Sequence, residues 1–363
     1  MKTVKIIISA VLAAAVLTAP ACRPAGFSLT VGGSAVSPGL YAYFLSEAYG
    51  EAKGPPAGGT DEWIKNRALE LCRGYVAVNK KAGELEIKLN TEAKLQITAD
   101  VNNIWSRYRN YYEKIGVSRA VISRICEYDT YKEKLFTQIF DVDGTEPTPE
   151  EAVRGYYAEN YVAFMAVNGY FSRTGADGRA TPLSGPQREE LKKRFQDYAA
   201  RINAGADISA INAEYMTGEE DAKTPSVVEP TPGAGTEEAS TTGAQTGADA
   251  SNPDVFSGPA YEVKPAVLFK NGTNYPPGFF DAVYAMKNGV ASVPEFTDYI
   301  YIVQRVDVFG PEDSFYAQNR GACLKALKWG DFEAEITAWG AGFKIEKNDK
   351  ALNDFAAQAI NKM

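Results

Sequence analysis

The segment "GFFDAVYAMKNGVASVPEFTDYIYIVQRVD", residues 278–307, packs aromatic side chains around a short helical run, a turn and a strand-like run. The chemistry open to it is narrowed by one absence: the 363-residue chain contains no histidine. Ser-His-Asp and Cys-His catalysis are therefore excluded. With no imidazole and with cysteines scattered singly, no transition-metal site is expected either. The run Asp141-Val142-Asp143-Gly144 opens like a calcium loop, but its glycine comes too early, so it reads as a solvated turn. No Gly-rich phosphate cradle is present, and neither a nucleotide nor any other cofactor is expected. What the segment can still offer is an apolar surface.

The elements that would carry such a surface begin after an exported leader. Lys2 and Lys5 precede an apolar run from Ile6 to Leu17, too short to span a bilayer, and Ala19-Pro20-Ala21 stands before Cys22. This reads as a signal peptide over 1–21. Cleavage before Cys22 frees that thiol for a lipid anchor, the leading expectation, or leaves a secreted protein with an N-terminal cysteine. Cys72, Cys126 and Cys323 are odd in number and lie in apolar helical patterns, so they read as small buried hydrophobes, with a single Cys72–Cys126 bridge left open.

Net charge is −8, unevenly spread. Residues 217–254 hold eight acids against Lys223, and removing that −7 with the +2 of the leader leaves −3 for the body. So balanced a body offers no field for nucleic acid. The 217–254 stretch has no aromatic, Leu or Ile and cannot bury enough apolar area to offset its ordering entropy, so it is expected to be a disordered acidic insertion.

A strand, a Gly32-Gly33 turn and a second strand lead to Ser37-Pro38, which cap and open a helix. Helical patterns follow at about 61–82, 91–115 and 118–140, with Gly83 and Gly116 as stops. The row Trp105, Tyr108, Tyr111, Tyr112 has helical spacing and reads as core rather than as an exposed binding groove. Thr148-Pro149-Glu150-Glu151 reads as a capping box, with a boundary near 145. Next come a strand in "YVAFMAVNGYF", an Asp177-Gly178 turn, and a helix ending at Gly205. Strand, helix and strand return at 261–309, before a long helix over 312–339, a strand-like "FKIEK" and a last short helix. The class is α+β. The expected domains are 22–145 completed by 312–363, all helical, and 146–216 with 255–311, carrying the sheet.

Phe279, Ala282, Tyr284, Met286, Gly289 and Ser292 match in register a pattern of aromatic, Ala, aromatic, aliphatic, Gly and Ser. That segment resembles the parvulin-type peptidyl-prolyl isomerases. Helices on either side of it resemble the arrangement in extracytoplasmic foldase lipoproteins and the related periplasmic chaperones. The resemblance implies a parvulin-like domain in which a proline side chain enters an apolar pocket above paired histidines on adjacent strands. By position the pocket residues are Tyr275 and Phe279. The histidines are replaced by Tyr301 in "DYIYIV" and by Asn168 in "AVNGYF", with a shift to Ala166 as an alternative for the second.

Prolyl isomerisation needs no nucleophile or metal, only a twisted, desolvated amide. Loss of the imidazoles thus leaves proline binding feasible while disorganising the pocket floor, and weak or absent turnover is expected, with no catalytic residue assigned. The leading expectation is an exported, ATP-independent chaperone or foldase that holds unfolded or newly secreted polypeptides. An active peptidyl-prolyl isomerase is the alternative, and a structural or solute-binding surface lipoprotein the second.

Overall fold

The computed structural model describes residues 26–53, 60–174, 178–217 and 261–363. The leader, Cys22, Asp177 and residues 218–254 of the expected insertion lie outside these residues.

In chain order the elements are β1 (Leu29–Val31), β2 (Ser34–Ala35), α1 (Pro38–Lys53), α2 (Asp61–Glu84), α3 (Thr91–Ile115) and α4 (Arg119–Phe140). Then follow α5 (Glu150–Asn160), β3 (Tyr161–Tyr170), β4 (Ser172–Thr174), β5 (Ala180–Pro182), α6 (Gly185–Asn203) and α7 (Ile208–Thr217). The chain closes with β6 (Ala266–Phe269), α8 (Phe279–Tyr284), β7 (Ala291–Ser292), β8 (Tyr299–Val306), α9 (Ser314–Gly340), β9 (Ile345–Lys347) and α10 (Asp349–Ile360). The chain is α+β, and no helix among the described residues is long and apolar enough to cross a membrane. Its described residues divide into two compact units, one from 26–133 with 335–363, the other from 134–217 with 261–334.

In the first unit β1 lies between β2 and β9, antiparallel to both. Gly32 and Gly33 turn the β1–β2 hairpin at φ of 53° and 79°, the left-handed pair that a tight two-residue loop demands. The Leu40 amide donates to Ser37 Oγ at 3.2 Å, so the expected cap of α1 forms. Thr60 and Asn90 cap α2 and α3 in the same way. Helix α1 is the buried centre: Tyr41, Leu45 and Ala48 are fully enclosed, and α2, α3 and α10 pack around it. Cys72 and Cys126 are buried free thiols, so the bridge left open between them is not formed.

Two local readings are corrected here. Gly83 does not stop α2, which runs on to Glu84; the chain turns instead at Glu86, with φ of 50°. A Cβ at Gly83 would meet open space, so the glycine simply sits on an uncrowded helical turn. In the aromatic row, Trp105, Tyr111 and Tyr112 do pack half-buried on the core, and Tyr111 and Ser46 share a hydroxyl hydrogen bond of 2.6 Å. Tyr108 is 52% exposed, with its ring 6.3 Å from that of Tyr112 and close to perpendicular to it, so it lies outside the core.

In the second unit a four-stranded sheet of order β6-β3-β8-β7 is antiparallel throughout. Strand β3 alternates its side chains between faces. Val167 and Phe171, with Ile300 and Ile302 of β8, pack under α6 and α7 through Leu191, Phe195 and Ile211. Val162 and Phe164, with Tyr301 and Val303, pack beneath α8. The amide of Asn203, at the end of α6, serves β7: the Ala291 N–H donates to its Oδ1 at 2.7 Å, and its Nδ2 donates to the Ala291 carbonyl at 2.9 Å.

The expected capping box at 148–151 does not form. Helix α5 opens at Glu150 with Pro149 in the cap position and no side-chain cap. The Thr148 amide donates to the Phe140 carbonyl at 2.9 Å, which draws Thr148 inward and leaves its buried hydroxyl without a partner. Residues 141–144 form a turn closed by the Gly144 amide on the Asp141 carbonyl at 2.8 Å.

A polar clasp joins the starts of α5 and α9. Arg320 reaches Asp141 at 2.7 Å and Glu150 at 2.9 Å, and Tyr316 donates to Glu150 at 2.5 Å. Burial works to raise the Asp141 carboxyl, but the Val142 amide and Arg320 outweigh it and hold the group below its ordinary value. A carboxylate depressed in the folded state adds stability that is present above the unfolded pKa near ~4 and disappears as pH falls. Arg320→Met is therefore expected to cost roughly 1–3 kcal/mol at neutral pH, between the values for an exposed and a buried pair. In urea denaturation the gap from wild type should narrow below about pH 4. A gap that stays constant down to pH 3 would exclude Asp141 as its source.

Candidate functional site

The candidate site lies on the α8 face of the second unit's sheet. β3 and β8 pair with Asn168 directly opposite Tyr301, and Tyr170 opposite Tyr299. Opposed residues in an antiparallel pair share a face, so Asn168, Tyr170, Tyr299 and Tyr301 form one patch. Ala166 pairs instead with Val303, one step deeper along the ladder. Of the two expected positions, Asn168 is the one across from Tyr301.

Beneath the patch is an aromatic stack. Phe279 is fully buried at the start of α8, edge-on to Phe164 with ring centroids 5.1 Å apart. Tyr275 lies over it, stacked at 4.4 Å with 24° between planes. Tyr301 meets Phe279 edge-on at 5.1 Å, and Phe296 at 5.9 Å. The short helix places Phe279 inward because Gly278 takes φ of 85°, which lets the chain swing from Pro277 straight into α8.

Of the expected contact residues, the structure brings Tyr275, Phe279 and Tyr301 into one cluster with Asn168 at its edge. They differ in access. Phe279 is sealed, Tyr301 is only 7% exposed, Tyr275 is half-buried and Asn168 is open to solvent. Any peptide would therefore touch Tyr275, Asn168 and the rim and would feel Phe279 only through Tyr275.

Two rim residues, Tyr170 and Tyr299, escape a reading that follows only the resemblance. Their rings lie 5.5 Å apart, and Asn168 Nδ2 donates to the Tyr170 hydroxyl at 3.1 Å. Period-two alternation in "NGY" and "YIY" is the signal that could have found them, since each stands two places from an expected residue. Tyr170 is half exposed.

The electrostatics of the patch keep Tyr301 and Tyr275 protonated. Burial, followed by the neighbouring Tyr275, Tyr299 and Tyr170, pushes the Tyr301 hydroxyl far above its ordinary range. Burial also raises Tyr275. The groups present are hydroxyls, an amide and ring faces, which can bind an apolar or backbone group and donate hydrogen bonds to it.

No protein-family model matches the sequence, and no curated protein matches it. Among solved structures the chain is similar to the foldase protein PrsA of Lactococcus lactis, with 14% identity and a TM-score of 0.37 over 92% of this chain and 98% of that one. It is similar to the foldase protein PrsA of Streptococcus pneumoniae at 13% identity and a TM-score of 0.38, over 90% and 97% of the two chains. A third likeness is to a structure reported for PEB4 and Cj1289, two structurally related SurA-like chaperones of Campylobacter jejuni. There the identity is 11% and the TM-score 0.28, over 89% of this chain and 99% of that one.

Proposed function

We propose that this chain is an exported, ATP-independent chaperone of the foldase type, whose sheet-bearing unit is parvulin-like and has weak or no isomerase activity. The observation that carries the reading is the opposition of Asn168 and Tyr301 across β3 and β8, above the Tyr275–Phe279 stack. The sequence resemblance expects paired histidines at that juxtaposition, and neutral side chains occupy it. The domains of this reading are a helical body of 22–145 with 312–363 and a sheet domain of 146–216 with 255–311. A lipid on Cys22 would hold the mature chain at the outer face of the membrane. Its clients would be unfolded or newly secreted polypeptides.

The grip expected of the patch is hydrophobic and aromatic, with the Asn168 amide and the tyrosine hydroxyls meeting the client's backbone. A protease-coupled isomerisation assay is the decisive test. Proline isomerisation is expected to stay at its uncatalysed pace of roughly tens to hundreds of seconds, while equimolar protein slows aggregation of a denatured client. Tyr170→Ala with Tyr299→Ala should weaken that protection without unfolding the sheet. A rate well above background would make the protein an isomerase. Failure to protect any unfolded client would end the chaperone reading.

A further inference from the structure

A cavity of about 280 Å³ opens in the first unit where the first turns of α2 and α10 meet β9. Its lining combines an apolar base with an excess of donors. Leu69 and Leu352 are 8% and 3% exposed and form the base. Lys65 and Asn66 come from α2 and Lys347 from the end of β9. Neither Lys65 nor Asn66 makes a hydrogen bond or ion pair among the described residues. Glu62, one turn before Lys65, is the lone carboxylate of the lining, and the two do not pair. Lys347 is bridged to Asp349 at 2.8 Å, at the surface.

Tyr41 lines the same cavity from α1, and its buried hydroxyl has no hydrogen-bond partner. Burial, with Cys72 beside it, pushes that hydroxyl far above its ordinary range, so it remains a neutral donor. A ligand oxygen seated against Tyr41 would give that hydroxyl the partner it lacks.

We propose that this cavity binds a small carboxylate carrying an aliphatic side chain, with the terminal carboxylate of a polypeptide as its natural form. The ammonium groups of Lys65 and Lys347 and the Asn66 amide would meet the carboxylate, and Leu69 with Leu352 would take the side chain. The volume falls just under the ~300–1,000 Å³ of sites for drug-sized ligands, which suits one or two residues and no longer segment. The site does not rest on the peptide-binding patch of the other unit.

Isothermal titration of the purified mature protein tests it with three probes: N-acetyl-leucine, a leucine-ended hexapeptide with a free C-terminal carboxylate, and the same hexapeptide amidated. The free-acid peptide is expected to bind at least ~10-fold more tightly than its amide, a difference of about 1.4 kcal/mol. Lys65→Gln and Tyr41→Phe should each remove most of that preference, and circular dichroism should show both variants folded. Binding of N-acetyl-leucine as tight as the free-acid peptide would identify a free small acid as a sufficient ligand. Binding of the peptide acid alone would identify chain ends. Equal binding of acid and amide, no binding of any probe, or an unchanged preference in folded Lys65→Gln would each overturn the proposal.

Discussion

Phe279→Ala is expected to cost about 3–5 kcal/mol of folding stability, the range for removing a large aromatic from a closed core. The ring is fully buried and touches Phe164, Tyr275, Phe296 and Tyr301 at centroid separations of 5.1, 4.4, 5.8 and 5.1 Å. Its loss would leave a void at the centre of the α8 face, and four rings cannot all close over it. Phe279→Leu keeps most of the volume and should cost less than half as much. Urea denaturation monitored by tyrosine fluorescence separates the cases. Had Phe279 served mainly as a contact for clients, alanine would weaken protection of clients while leaving the denaturation midpoint in place. That outcome would contradict the sealed position described above.

Gly169→Ala should be nearly as damaging for the opposite reason, overfilling. A Cβ at this position would lie 2.6 Å from Phe195 Cζ and 3.0 Å from Ile300 Cγ2, on the face covered by α6. Neither neighbour is free to move, because Phe195 and Ile300 are both fully buried. Overpacking of this kind costs about 1–3 kcal/mol and at times more. In a Phe195→Leu background the added methyl gains room, so the two changes should couple and the second penalty should shrink. Equal penalties in both backgrounds would show that the sheet and α6 yield to each other in some other way. Asn168 and Tyr170 flank Gly169 on the opposite face, so a shifted β3 would also displace the candidate patch.

The helical elements were legible because their signals are local. Ser37, Thr60 and Asn90 stand where caps are needed, and apolar residues recur at helical spacing behind them. Gly116 ends α3 in the left-handed conformation that its position in the pattern predicts. The failures are tertiary. Thr148 has the sequence of a cap, but its amide is drawn to the Phe140 carbonyl and the cap position passes to Pro149. Helix α7 has little periodicity of its own; it is held by Ile208, Ile211 and Tyr215 against a sheet whose other strands lie far away in sequence.

The candidate site divides along the same line. Asn168 and Tyr301 could be placed by resemblance, and their opposition follows from an antiparallel register over eight residue pairs. Tyr170 and Tyr299 follow from alternation once that register is known. That Phe279 is sealed while Tyr275 stays half open depends on how Tyr275 and Phe296 close over α8, for which a single sequence holds no signal.

The Asn203 amide on Ala291 has a consequence for a protein proposed to work among unfolded chains. β7 ends the sheet, and a terminal strand normally offers bare backbone groups to any extended stranger. Here a side chain impersonates the missing neighbour, answering both the N–H and the carbonyl of one residue. A foreign segment that tried to zip on at that rim would first have to evict the impostor, giving up two hydrogen bonds before making its own.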